Sequence, residues 1–469
     1  MRCCWLSIFL WALVCPQLSA QEGAPENVIR LKVRPAAAPV PALKYQLLPD
    51  ARKLQPGNAA VSYLRAATMD YAQHRQPQMR QAISEWLQAK TEGKTPPLPT
   101  QFQFLKDNYW PLQQIDIAAR QEYCHWQLTD RLRKEGLQVV LPEIQQLRDW
   151  ANLLNLRFRL ELQHGDLPKA LYTCQTGLAM GRHTADAPTL MSAFIAHGIS
   201  NAMLDNVQEI LTSSRSPNLY WALTELPRPW IDLRRTMLGE SLWIEALLAD
   251  FPDIHEVPLP PAGLAVLRQR LKILGRLLSQ RHSLGADEAI TILVLKGYPT
   301  ARVWLLAQGK PADLVERMPS LQVVLLYSLD EYQRMTDGIL KLQSLPYREA
   351  RPFLTQWQQE MRQTAMHSKT IPFTAQIGSY EYALGARARV ERKIDLLRTI
   401  EALRMYAAAH GQWPATLEEI KEVPLPLDCY TGKPFSYRRE GDKAYLLAAP
   451  PKPQMYVDEK ASYELTLVK

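Results

Sequence analysis

The stretch ANLLNLRFRLELQHGDLPKALYTCQTGLAMGRH, residues 151–183, decides the fold because it signals two consecutive helices and the turn between them. The first helix is predicted to end at His164-Gly165, since glycine adopts the left-handed conformation that closes a helix. Asp166 is a suitable cap for the second helix, and Pro168 falls in its first turn, where a missing N–H costs little. The stretch therefore predicts a helical hairpin.

Small side chains at Ala170, Cys174 and Gly177 share one face of the second helix. Because they recur at helical spacing, they predict close contact with a neighbouring helix. The hairpin resembles one tetratricopeptide-type unit, a helix pair of about 34 residues. A clean repeat of that length is not seen elsewhere, so a generic helical repeat or bundle is the alternative.

Helical periodicity continues from Ala59 to about residue 410, and glycine is scarce there. It predicts a mainly α fold: a helical array or bundle, TPR-like in part, over residues 59–380. Two apolar stripes carry the prediction. The first stripe consists of Met191, Ile195, Ile199, Met203, Val207 and Leu211, and the second of Leu264, Leu267, Leu271, Leu274 and Leu278. Helix starts are predicted near Ala59, Met79, Asp116, Pro142, Asp166, Pro188, Asn218, Ala262, Asp287, Leu314 and Arg348.

Residues 381–449 predict a small α+β module of a helix and a hairpin. A helix over residues 387–410 should end at Gly411, and Thr416 to Glu419 matches a capping box for a short second helix. Gly441-Asp442 then suits a two-residue hairpin turn.

That turn fixes the register of the predicted hairpin. It pairs Glu440 with Lys443 and Tyr437 with Leu446, so the apolar side chains share one face, which the long helix covers. The tail over residues 450–469 has the pattern of a possible final strand.

The module resembles the globular part of type II secretion major pseudopilins. Those proteins have a helix that ends in a Tyr-x-x-x-x-Gly-x-x-Pro turn, followed by an aspartate-containing loop and a small sheet. Tyr406, Gly411, Pro414 and Asp428 match this pattern. The resemblance implies that the Asp428 loop is a conceivable calcium site, and the alternative is a turn-forming aspartate. The helix lacks the apolar N-terminal half of a pseudopilin, which indicates a borrowed or convergent module rather than a pseudopilus subunit.

The chain as a whole resembles a family of exported planctomycete proteins of unknown function. The stretches that carry this resemblance are PALKYQLLPDARKLQPGNAAVSYLRA, ALYTCQTGLAMGRHTADAPTL, MPSLQVVLLYSLDEY and LPYREARP, together with the C-terminal module. The resemblance implies export and no particular activity.

The N-terminus has the layout of a secretory signal peptide over residues 1–20. Arg2 supplies a positive end, Trp5 to Cys15 is a largely apolar run, and Leu18-Ser19-Ala20 precedes Gln21 as a small-residue cleavage site. We expect cleavage between Ala20 and Gln21, with an uncleaved anchor as the alternative. Residues 21–58 contain six prolines and are predicted to be extended and partly disordered.

An exported, periplasmic or secreted protein is therefore expected, with no stable membrane span after leader cleavage. The formal charge is +8, and the lysines and arginines are spread along the chain among 47 acids without a basic block among aromatics, which argues against a nucleic-acid partner. Cleavage leaves Cys124, Cys174 and Cys429, enough for at most one disulfide, and the sequence does not show whether any two of them pair.

Familiar catalytic motifs such as HExxH and Gly-x-Ser-x-Gly are missing from the sequence. Cys124-His125 is adjacent on a predicted helix, so the two side chains diverge and a catalytic pair is not expected. His164 and His410 are placed in last helical turns. No catalytic, metal or cofactor residue is predicted. A non-catalytic interaction or scaffold protein that binds another protein or an envelope polymer is favoured, and an exported hydrolase with a site between helices is the alternative.

Overall fold

The computed structural model describes residues 28–68, 81–86, 102, 105, 109–136, 139–279, 285–367, 373, 378–449 and 460–468, with the backbone alone at 273–279, 361–362, 364–367 and 378–379. The predicted leader, the cleavage site between Ala20 and Gln21, and the predicted helix start at Met79 lie outside these residues.

The described chain is mainly α, with fifteen α-helices and a small sheet, as the periodicity predicted. The helices are α1 Ala59–Thr68, α2 Trp110–Ala118, α3 Thr129–Glu135, α4 Pro142–Gln163, α5 Leu167–Ala185, α6 Leu190–Leu211, α7 Tyr220–Thr224, α8 Arg234–Glu240, α9 Leu242–Leu248, α10 Pro261–Ser279, α11 Ala286–Ala307, α12 Ala312–Arg317, α13 Ser320–Leu342, α14 Tyr347–His367 and α15 Gly378–His410.

Six strands form two sheets in the described residues. The strands are β1 Val28–Val33, β2 Gln55–Asn58, β3 Gln121–Tyr123, β4 Ser436–Glu440, β5 Lys443–Ala448 and β6 Ala461–Leu467. The larger sheet has the order β1-β6-β5-β4, and β2 pairs with β3. Within the larger sheet β6 runs antiparallel to β5 and parallel to β1.

The chain divides into two compact units that interleave in sequence. Among the described residues, Gln127–Val140 and Leu233–Leu384 belong to the first unit. Those within Gln17–Trp126, Leu141–Asp232 and Gly385–Lys469 belong to the second. The residues predicted as one helical domain, 59–380, are thus shared between the units: α1, α2 and α4 to α7 fall in the second unit with the C-terminal module, and α3 and α8 to α14 fall in the first.

The hairpin of α4 and α5, in the second unit, forms as predicted. Gly165 has a φ of 73°, and the Asp166 carboxylate accepts the backbone N–H of Lys169 at 3.2 Å. The small-residue face allows the predicted close contact, because a Cβ on Gly177 would overlap the sulfur of Met203 on α6. On α6 the apolar stripe from Ile195 to Leu211 is buried.

Two predicted helix positions need correction, and four helices were not predicted. Asp116 lies near the end of α2 rather than at a helix start, because Pro111 occupies the first turn. The long helix α15 begins at Gly378, nine residues earlier than predicted. The short helices α3, α8 and α9 and the long α13 were not predicted as separate elements. The short ones have too few turns to show a period, since such helices depend on tertiary packing.

The C-terminal hairpin has the predicted register, with Glu440 opposite Lys443 and Tyr437 opposite Leu446. Gly441 adopts a φ of 61° in the turn. The predicted capping box is wrong. The Thr416 side chain makes no cap bond, the Glu419 carboxylate accepts the backbone N–H of Ala415 at 2.8 Å, and the segment is one 3-10 turn.

The N-terminal segment contributes a strand to the C-terminal sheet, which composition did not predict. Within the region predicted as extended and partly disordered, β1 pairs in parallel with β6, from Val28 opposite Ser462 to Val33 opposite Leu467. Leu31 and Val33 are buried. The surrounding prolines obscured a short strand whose partner lies at the other end of the chain.

Candidate interaction surface and buried ionic clusters

Helix α11, in the first unit, is apolar on two opposite faces. One face packs against α10 and α13 and buries Ile290, Gly297, Ala301 and Leu305. At 100° per residue the opposite face presents Ile292, Leu295, Pro299 and Val303, which we call the α11 stripe. All four residues are exposed.

The exposure of the α11 stripe is unusual for large apolar side chains. Leu295 is 71% exposed and Val303 is 65% exposed. A helix that is apolar all round is normally buried, and contiguous exposed apolar patches commonly mark interaction sites. Among the described helices, α11 alone is long and apolar enough to cross a membrane, and only 22% of its most apolar window is buried. The stripe is therefore a candidate surface for binding.

Glu401 and Arg404 on α15 form an ion pair that is fully buried within the second unit. The Glu401 carboxylate lies 2.7 Å from the Arg404 guanidinium, and both side chains are 0% exposed. Arg404 also donates to the backbone carbonyls of Arg34, Ser216 and Pro217. Burial raises the pKa of Glu401, while Arg404 opposes that rise. The pair ties α15 to the segments that precede α7 and follow β1.

Asp428 is held by a partner that sequence reasoning missed. Its two carboxylate oxygens accept from the Arg392 guanidinium at 2.8 and 2.5 Å, and both side chains are buried. Asp428 Oδ1 also accepts the backbone N–H of Tyr430 at 3.0 Å, as a turn-forming aspartate does. The Arg392 guanidinium lies 4.4 Å from the centre of the Tyr430 ring. Asp428 thus serves the loop structure, and its charge is matched by an arginine.

A third cluster joins α2, α4 and α5. Both Asp116 oxygens accept from Arg157 at 2.8 Å, and the Thr176 hydroxyl donates to Asp116 at 2.7 Å. The Thr173 hydroxyl donates to Glu161 at 2.6 Å. Burial raises the pKa of Glu161, which Thr173 and Arg157 oppose. The periodicity that predicted these helices gave no sign that their polar residues meet.

Cys124 and His125 diverge, but not for the predicted reason. They follow β3 in an extended segment rather than lying on a helix, so adjacent side chains alternate in direction. Cys124 is buried and His125 is exposed. Burial raises the pKa of the Cys124 thiol, which keeps it protonated. The pair lacks the geometry and the thiolate that nucleophilic catalysis requires.

Two other histidines are buried in the second unit. Burial lowers the pKa of His183 to about 4, and its Nδ1 lies 3.0 Å from the Tyr63 hydroxyl. Burial, followed by the charge of Arg389, lowers the pKa of His197 to about 3. Both rings are therefore neutral near neutral pH. His164 and His410 stand at helix ends as predicted, and the His164 ring contacts the Leu160 carbonyl at 2.6 Å.

The three cysteines expected in the mature chain, Cys124, Cys174 and Cys429, are free thiols. Within the described ranges, no group of three or more His, Cys, Asp or Glu side chains is arranged to hold a metal ion. Comparison of the chain with protein-family models, with curated proteins and with solved structures finds no match.

Proposed function

We propose that this chain is an exported, non-catalytic helical scaffold that binds a component of the cell envelope through the α11 stripe. The observation that carries the proposal is the exposure of Leu295 and Val303 on a helix whose opposite face is already packed. Binding of a partner that removes this apolar area from water is favourable in free energy, so exposed area of this kind favours association.

The buried polar groups support a structural rather than a chemical role for the core. Arg404, Arg392 and Arg157 each bind a carboxylate and link separate segments. His183 is a weak base at its lowered pKa, and the Cys124 thiol is a weak nucleophile at its raised pKa. The three arginine–carboxylate pairs therefore contribute to a rigid scaffold that can present a binding surface.

Site-specific photocrosslinking in the native envelope tests the proposal. A photoreactive phenylalanine analogue is placed at Leu295 and, as the matched control, at Leu238, a leucine on α8 that is 59% exposed. We expect a discrete crosslinked product from position 295 that is missing from position 238. Equal products at the two positions, or none at either, would contradict the assignment of the α11 stripe.

A hydrolysis assay addresses the alternative activity. The purified chain is incubated with ester and peptide libraries, and we expect no turnover above that of heat-treated protein. If the chain hydrolyses a substrate, if Leu295→Gln leaves that turnover unchanged and if no crosslink forms at position 295, the scaffold proposal is wrong and a hydrolase is favoured.

A further inference from the structure

The α11 stripe lies in a stretch of the chain that is rich in cations. Residues 261–310 contain eight lysines and arginines against two acids, Asp287 and Glu288, in a chain with a formal charge of +8. The cations are Arg268, Arg270, Lys272, Arg276, Arg281, Lys296, Arg302 and Lys310. Most of the chain's charge excess thus lies in α10, α11 and the residues that flank them.

Several of these cations are only partly neutralised. Arg268 and Lys272 share one carboxylate, Asp287, at 3.1 and 2.9 Å. Arg270 pairs with Asp250, and Arg302 lies 3.4 Å from Glu316. An excess of positive charge therefore remains in residues 261–310 after these pairs are formed.

Lys296 brings that charge to the apolar surface itself. It is exposed, follows Leu295 directly, and lies 40° from Ile292 around the helix axis at 100° per residue. A lysine at the margin of an apolar stripe can extend its ammonium group to lipid headgroups while its stem lies on the acyl boundary. An apolar stripe with adjoining cations is the pattern of a helix that lies in the membrane interface.

We propose that the α11 stripe docks on an anionic lipid surface, with α11 parallel to the membrane plane. The orientation follows from packing, because Ile290, Ala301 and Leu305 on the opposite face are buried against the protein. A helix held on that face contacts lipid from one side and does not cross the bilayer. The inference rests on the proposed function and names the occupant of its binding surface.

The test is co-sedimentation of the full chain with lipid vesicles. Wild type and variants are compared with the leader either present in all of them or removed from all of them. One set of vesicles contains phosphatidylglycerol and phosphatidylcholine in equal parts, and the other contains phosphatidylcholine alone. We expect binding to the anionic vesicles that weakens with salt. Leu295→Gln combined with Val303→Gln should weaken it about tenfold or more, and Lys296→Gln about fivefold.

Matched controls separate the stripe from general surface effects. Leu238→Gln removes a leucine that is 59% exposed, and Lys341→Gln removes an exposed lysine of α13. Both should bind as wild type does. Circular dichroism melts should agree among all variants, because every substituted side chain is exposed.

Other occupants give different results. Equal binding to both vesicle types overturns the requirement for anionic lipid, and binding unchanged in the Leu295/Val303 variant overturns the assignment of the α11 stripe as the lipid-binding surface. A concentration-dependent dimer in the absence of vesicles that Leu295→Gln abolishes overturns it in favour of a second copy. A protein crosslink at position 295 without vesicle binding overturns the lipid assignment but leaves the proposed scaffold function in place.

Discussion

Replacing Arg404 with methionine should strongly destabilise the second unit. The substitution leaves Glu401 buried without its counter-charge and removes the donor to the carbonyls of Arg34, Ser216 and Pro217. Breaking a buried pair from one side costs about 3–5 kcal/mol. A domain is stable by only about 5–15 kcal/mol, so the loss is a large part of the total.

The loss should depend on pH in a definite direction. Burial raises the pKa of Glu401, and Arg404 lowers it, so the folded-state pKa rises further without the arginine. An acid whose folded-state pKa is raised contributes stability below its unfolded pKa and loses that contribution as pH rises through the folded value. The difference in free energy of unfolding between wild type and Arg404→Met should therefore become smaller as pH falls from neutral toward the ordinary glutamate pKa, about 4.3.

Urea unfolding followed by circular dichroism and pulse proteolysis measures this effect at each pH. Arg404→Lys is the conservative control. It keeps the positive charge but not the planar guanidinium group, so it should lose less stability than Arg404→Met. Arg438→Met is the exposed control. Its pair with Glu440 is open to solvent, so its unfolding midpoint should match that of wild type. A loss below about 1 kcal/mol for Arg404→Met, or a loss that grows on acidification, would refute the reasoning.

Three further predictions concern the helix contact, the histidines and the leader. Gly177→Ala should destabilise by about 1–3 kcal/mol in urea titrations because its Cβ overlaps the Met203 sulfur, and with Met203→Ala the double variant should lose less than the sum of the single losses; additive losses would contradict the contact. His183 has a lowered folded-state pKa of about 4, so stability should fall as pH drops from about 6.5 toward 4, and His183→Gln should flatten that slope; an unchanged slope would count against a buried neutral ring. Intact-mass measurement of the exported protein should find a chain that begins at Gln21, whereas a retained leader would favour the uncleaved anchor.

Local signals in the sequence predicted the elements that depend on local chemistry. Gly165 and Asp166 mark the α4–α5 turn because the left-handed conformation and the cap are properties of adjacent residues. Gly441 fixed the C-terminal hairpin register in the same way. The predicted starts of α4, α5, α6, α10, α11 and α14 lie within two residues of the observed ones. The start of α13 was missed although it follows Pro319 and a long apolar period comes after it.

Long-range pairings could not be read from the sequence. Val33 and Leu467 meet in a parallel ladder although they lie at opposite ends of the chain. Asp428 was recognised as a turn residue, but nothing local connects it to Arg392, 36 residues away. The α11 stripe was missed for a different reason. Apolar residues on both faces of a helix normally indicate burial, and only the structure shows which face is exposed to solvent.

The central claim is that the α11 stripe is covered in the cell envelope. Leu295→Cys and Leu238→Cys can be labelled with a maleimide in the purified protein and in intact envelopes, with the wild-type chain as background. Both cysteines should react rapidly in the purified protein, and position 295 alone should become protected in the envelope. Equal labelling of position 295 in the two settings would contradict the account.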